Sequence, residues 1–310
     1  MKIKTAIIIL FLFQLASTAT EPVLKTKVTA DGVLITEGDA KVLFYQRVTK
    51  SRDGKHARAN YVHPLFDLDG NVLTEDFPTD HLHHRGIFWA WHQLWVGNKM
   101  IGDGWIAKDM TWDVHDLQTS QSKDGSASIQ VAVNWKSPQW HNGKKTLVKE
   151  ATSIRVYPRE GNFRKLDFNI HLRAVEPNTR LGGADNVKGY GGFSTRIKLP
   201  KEIEFTGEKG KVTPQRTPIA AGPWMDMTAR FYKSGMGGFT ILCHPKSAGY
   251  PQPWILRNKG SMQNPVWPGQ HAKPLLVDKP LTLRYRLILH KGIATAQKLG
   301  RWHKAYSATP

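Results

Sequence analysis

In Asp80-His81-Leu82-His83-His84-Arg85-Gly86, three imidazoles, a carboxylate and a guanidinium crowd into a very short stretch, and a Trp-rich run, Ile87 to Val96, follows at once. On a strand, His81 and His83 would share one face and His84 the other. On a turn or helix, His81 and His84 would be neighbours instead. Either arrangement supplies general acid–base groups, metal ligands or an anion site. His81, His83 and His84 are therefore the leading catalytic candidates. They are equally candidate ligands of one divalent metal ion, with Asp80 as an oxygen ligand or as the partner that fixes an imidazole tautomer. The pattern leaves metal-dependent and metal-free chemistry both open. Arg85 joins the catalytic candidates as a group that could bind a carboxylate, a sulfate or a polarised hydroxyl. His63 lies upstream of the cluster as a substrate-binding candidate, and His92 lies downstream.

Other stretches could complete a site. Lys188-Gly189-Tyr190-Gly191-Gly192 presents a lysine and a tyrosine on permissive backbone, so Tyr190 is a candidate acid–base group and Lys188 a substrate contact. It is not a dinucleotide fingerprint, because no following helix and no βαβ context accompany it. The chain holds 11 tryptophans, and Trp91 is the candidate for a face on which a sugar ring could stack. His244, Trp254, Arg257 and His290 are further candidate pocket members. Glu150 and Asp185 are carboxylates of the kind glycoside hydrolysis needs in pairs, but their separation in space is not written in the sequence. Asp67-Leu68-Asp69-Gly70-Asn71 is a tight turn and lacks the full oxygen spacing of an EF-hand.

The elements that must position these residues read as strands. Pro22 to Thr29, Val33 to Thr36, Lys41 to Val48, Lys108 to Leu117, Ser126 to Trp135, Thr146 to Tyr157 and Arg164 to Ala174 are β-branched and aromatic. Phe193 to Leu199, Ala229 to Lys233, Gly238 to Cys243 and Leu281 to His290 continue the series, and Lys50 to Ala59 reads as a polar surface loop. Turn signals about every ten residues are those of an antiparallel β-sandwich or barrel. Helical spacing is confined to Ile293 to Tyr306, with Leu299, Trp302 and Tyr306 on one stripe. The expectation is an all-β chain with a short C-terminal helix, forming one domain over residues 20–310.

Residues 1–19 read as a secretory signal: Lys2 and Lys4, an apolar stretch from Ile7 to Leu15, then Ala16-Ser17-Thr18-Ala19. No later segment is long and apolar enough to span a bilayer, so the mature protein is expected outside the cytoplasm, periplasmic or extracellular. The lone cysteine, Cys243, excludes an intramolecular disulfide and reads as a buried small hydrophobe. The formal charge of +19 is scattered rather than blocked, and no nucleic-acid motif accompanies it. For an exported protein that balance points to an anionic glycan or the cell envelope as partner.

Four stretches together carry a family resemblance: Tyr61-Val62-His63-Pro64-Leu65, the histidine cluster, Lys188-Gly189-Tyr190-Gly191-Gly192-Phe193, and Leu283 to Gly292. Over nearly all of the mature chain the sequence resembles the exported bacterial proteins labelled "methane oxygenase PmoA", a domain of unknown function. The resemblance implies a β-sandwich and a setting among genes for carbohydrate breakdown, and it brings no established catalytic residues. By analogy the fold is similar to the supersandwich of sugar mutarotases and lyase-like domains. The leading expectation is an exported carbohydrate-active enzyme, a hydrolase, lyase or epimerase. A non-catalytic carbohydrate-binding or envelope module is the alternative, and copper-dependent oxidation is what the inherited label implies.

Overall fold

The computed structural model describes residues 24–233 and 235–310; the expected signal at 1–19 lies outside the described residues. Strands dominate, and alternation decides their faces. In Val148–Val156 every second residue is buried, as period-two side chains on one covered face require. The largest sheet is antiparallel and nine-stranded. Its order is Thr111–Gln121, Ala127–Lys136, Val148–Val156, Phe163–Ala174, Leu281–Lys291, Gly235–Cys243, Trp224–Tyr232, Glu204–Gly207 and Gly210–Val212. Against it lies a six-stranded sheet ordered Leu24–Val28, Gly32–Glu37, Ala40–Gln46, Tyr61–Leu65, Ile87–Ala90 and Gly192–Thr195. A four-stranded sheet contains Gln93–Val96 and Thr179–Gly182 at its centre.

The two large sheets share one apolar core. Phe193 of the smaller sheet stacks on Tyr285 of the larger at 4.3 Å and meets Phe168 at 5.3 Å. The architecture is the antiparallel β-sandwich that the turn spacing predicts, here with its sheets joined by long connections. The C-terminal helix, Ala296–Ser307, covers the outer face of the nine-stranded sheet. Leu299 and Tyr306 are buried there with Leu242 and Ile288, and the Thr295 hydroxyl caps the first turn by accepting the Lys298 amide at 3.3 Å. No helix among the described residues is long and apolar enough to cross a membrane.

Two departures from the expected elements matter for the site. Lys50 to Ala59 is a hairpin, Lys50–Arg52 paired with Lys55–Arg58, rather than an open loop. Its arginine, Arg58, explains the pairing: the side chain is buried and lies 4.3 Å from the Trp112 ring, so the hairpin is anchored inward. The Trp-rich run, which reads as one strand, breaks after Ala90. Ile87–Ala90 belongs to the six-stranded sheet and Gln93–Val96 to the four-stranded one. At that corner Trp91 points into the core and His92 points the other way, into a cleft.

Candidate active site

The cleft holds about 350 Å³. Its walls are the 81–84 turn, the corner at His92, Trp105 and Ile106, the glycine loop at Lys188 and Tyr190, and residues 257–262. The histidine segment adopts the turn alternative: the His81 amide bonds to the Pro78 carbonyl at 3.0 Å, and the His84 amide to the His81 carbonyl at 2.9 Å. His81 and His84 consequently stack, ring on ring, at 4.6 Å and 2°. His83 stands edge-on to both, at 5.8 and 4.7 Å.

One buried arginine holds this turn from behind. Arg196 donates from Nε to Glu75 at 2.6 Å and from Nη2 to Asp80 Oδ1 at 2.7 Å, and its Nη1 lies 3.4 Å from His84 Nδ1. Because a guanidinium can only donate, His84 Nδ1 must accept, which places the His84 proton on Nε2. The other Asp80 oxygen accepts from His81 Nδ1 at 3.0 Å. That bond occupies Nδ1 and leaves Nε2 without a partner, since no other hydrogen bond reaches the ring among the described residues. Burial pushes the Asp80 carboxyl up, but hydrogen bonds from Arg196 and His81 and the Arg196 charge outweigh it and hold it down at about 2. Burial, then the neighbouring His81, His56 and His92, pull His83 down to about 4. Burial, then His83, His81 and Arg196, pull His84 down to about 2. Both rings are neutral at physiological pH.

On the opposite side of Trp105, His92 Nδ1 bonds to Asp103 Oδ2 at 2.8 Å. Asp103 Oδ1 accepts the backbone amides of Trp105 and Ile106, so the carboxylate is locked by its own turn. His92 Nε2 is shielded and has no partner among the described residues. The His92 ring stacks on Trp105 at 5.6 Å and meets the edge of Tyr190 at 5.1 Å. The Tyr190 phenol is raised by burial and by Asp103, against a smaller lowering by Arg257. Arg257 itself donates to three backbone carbonyls, those of Gln215, Leu256 and Arg216, and to no carboxylate among the described residues.

Six residues expected from the sequence therefore meet in one place: His81, His83, His84, Lys188, Tyr190 and Arg257. Others do not. Arg85 is fully buried, bonded to Asp76 at 2.9 Å and packed over Phe77; its guanidinium ties the hairpin to the sheet and lies outside the walls of this cleft. Trp91 is buried with its Nε1 on the Trp267 carbonyl at 2.8 Å, so the aromatic wall is Trp105 instead. His63 bonds to Thr74 at 3.0 Å away from the cleft, and burial lowers it to about 4. His244 is buried beneath the C-terminus, facing Tyr306 at 5.0 Å and the Thr309 carbonyl at 3.2 Å. Of the carboxylates, Glu150 sits in the sandwich core, where Asn60, Trp89, Trp135 and Thr152 all donate to it. Sequence reasoning did not single out Arg196, Lys259 or Met262, and it took Trp105 only as one of several tryptophans that could line a pocket. An arginine inside a strand-like run carries no signal of what it will clamp.

The donor geometry bears on the metal alternative. A ligated metal lies in the plane of each imidazole, and two parallel stacked rings share no such point; Asp80 is occupied by Arg196 and His81. Among the described residues no group of three or more His, Cys, Asp or Glu side chains is placed to hold a metal ion. His81, His84 and Asp80 are held by stacking and by hydrogen bonds, and His83 stands edge-on to both rings.

Fold and site together define a β-sandwich protein with a basic, imidazole-lined cleft. The chain belongs to a family of unknown function, DUF6807, whose model matches residues 32–303. No curated protein matches the sequence. Among solved structures, one similar chain is described as a "putative mutarotase (YeaD)" from Salmonella typhimurium, at 9% identity and a TM-score of 0.39, covering 88% of this chain and 95% of that one. A likeness of that order says nothing about chemistry.

Proposed function

We propose that the cleft is the active site of an exported carbohydrate-active enzyme working by metal-free acid–base catalysis. His81 transfers the proton, Asp80 orients its ring, and Tyr190 supplies the second acid–base group. Lys188 and Arg257 bind the substrate, and Trp105 with Met262 forms the apolar floor. The observation that carries this reading is the Asp80–His81 pair, anchored by Arg196, with its free nitrogen on a cleft large enough for a sugar ring. A general base must be held in a fixed orientation within reach of substrate, and the bond to Asp80 fixes the His81 ring at the cleft wall.

The test is product formation from a panel of oligosaccharides by wild type and by His81→Gln. Time-dependent product that falls by roughly 10²–10⁴-fold in the variant, with Tm unchanged, is the expected result. Saturable binding without product on any glycan would make the cleft a recognition site and the protein a binding module.

A further inference from the structure

Among the described residues, the ionisable groups that line the cleft are four histidines, two lysines and one arginine, with Tyr190, and no Asp or Glu. The nearest carboxylates are both committed, Asp80 to Arg196 and His81, and Asp103 to His92 and two backbone amides. Lys188, Arg257 and Lys259 have no carboxylate partner among the described residues. The sign of this field discriminates between reactions. Glycoside hydrolysis passes through an oxocarbenium-like transition state, positive on the sugar, and uses a carboxylate pair at the scissile bond. Cations on the wall oppose it. Proton abstraction beside a carboxylate builds negative charge, which the same cations stabilise.

Resting on the acid–base reading above, we propose that the substrate is a uronic-acid-containing glycan and that the cleft breaks it by β-elimination. The uronate carboxylate sits against Arg257 and Lys259. His81 Nε2 takes the proton from the carbon that bears the carboxylate, and the C–H electron pair moves into the carboxylate as an enediolate. That pair then forms a C=C bond as the C–O bond at the next ring carbon breaks. The leaving oxygen takes the proton of the Tyr190 hydroxyl, and solvent restores both groups. No oxidant, reductant or water is consumed. A sulfate at the same position would satisfy the cations but could not accept the electron pair, so a carboxylate is the required anion.

The experiment incubates wild-type protein with polygalacturonate, with a glucuronate-containing glycan, and with the carboxyl-reduced form of each, in water enriched in ¹⁸O. Expected are ultraviolet absorbance from the conjugated C=C, product masses lacking an added water, no ¹⁸O in the product, and no reaction of the reduced glycans. Lys259→Gln, an exposed site, should raise KM for the uronate by about tenfold with an unchanged fold, the size of one charge-assisted contact. Cleavage of neutral or reduced glycans with ¹⁸O incorporated, still dependent on His81, would overturn the uronate proposal and leave the acid–base reading standing. Turnover of no glycan of either kind would overturn both.

Discussion

Two Asp–His pairs of the same length sit in different parts of this molecule, one on the cleft and one in the nine-stranded sheet. His81 and Asp80 are 3.0 Å apart and His290 and Asp226 are 3.0 Å apart. The first pair is about two-fifths exposed and the second is 1% exposed on both sides. In the buried pair every polar atom is used internally: His290 Nδ1 reaches the Gly292 carbonyl, and Asp226 also accepts from Thr228 and Thr240. Burial raises the Asp226 carboxyl, yet the His290 contact and the two hydroxyls bring it below its ordinary range. In the cleft pair one imidazole nitrogen is left over. The same two residue types thus build a structural clamp when fully satisfied and a candidate proton-transfer group when one valence faces a cavity.

The contrast can be broken by truncating each histidine in turn. His81→Ala should abolish most turnover, by about 10²–10⁴-fold, with little change in Tm. His290→Ala should leave an unpaired buried carboxylate and cost roughly 3–5 kcal/mol in urea unfolding, while turnover per folded molecule is retained. If both variants lose activity and stability together, the two pairs do not differ as described.

Acid sharpens the comparison next. His63 and His83 are both lowered to about 4, so below their unfolded value the unfolded chain binds protons that the native chain refuses. Their stabilising effect is complete above about pH 6.5 and is lost as pH falls towards 4, whereas Asp80, held at about 2, contributes its loss only at lower pH. A His63→Asn/His83→Asn double variant should show a shallower fall in Tm between those two pH values than wild type. An identical slope would mean that these rings are not the ones excluded from protonation.

The smallest effect is expected at Gly260. A Cβ there would lie 2.6 Å from Asp80 Oδ2, so Gly260→Ala must push the carboxylate off His81. Turnover should drop by several-fold with a Tm shift of no more than a degree or two, since the surface position carries little packing. A larger loss of Tm than of kcat would assign Gly260 to folding instead.

Much of the fold was legible because period-two alternation is local. Val148–Val156, Phe163–Ala174 and the Leu299/Tyr306 stripe can be read from their own residues, and each occupies the place its pattern demands. The reading failed where a long-range contact overrides local composition. Lys50 to Ala59 is polar enough for a loop, yet Arg58 is drawn inward onto Trp112 and Phe88. The cluster at His81 to His84 marked the site, but Arg85, one residue further on, left it to pair with Asp76.

The sequence by itself determined the β-rich class, the terminal helix and the segment in which the imidazoles lie, because side-chain alternation, turn residues and titratable groups are properties of short stretches. Only the tertiary structure decided that His81 and His84 stack, that Arg196 braces Asp80 from more than a hundred residues away, and that His92 turns into the cleft while Trp91 turns out of it. Those outcomes depend on which strands become neighbours. That choice is made by burial summed over the whole core, and no short stretch contains it.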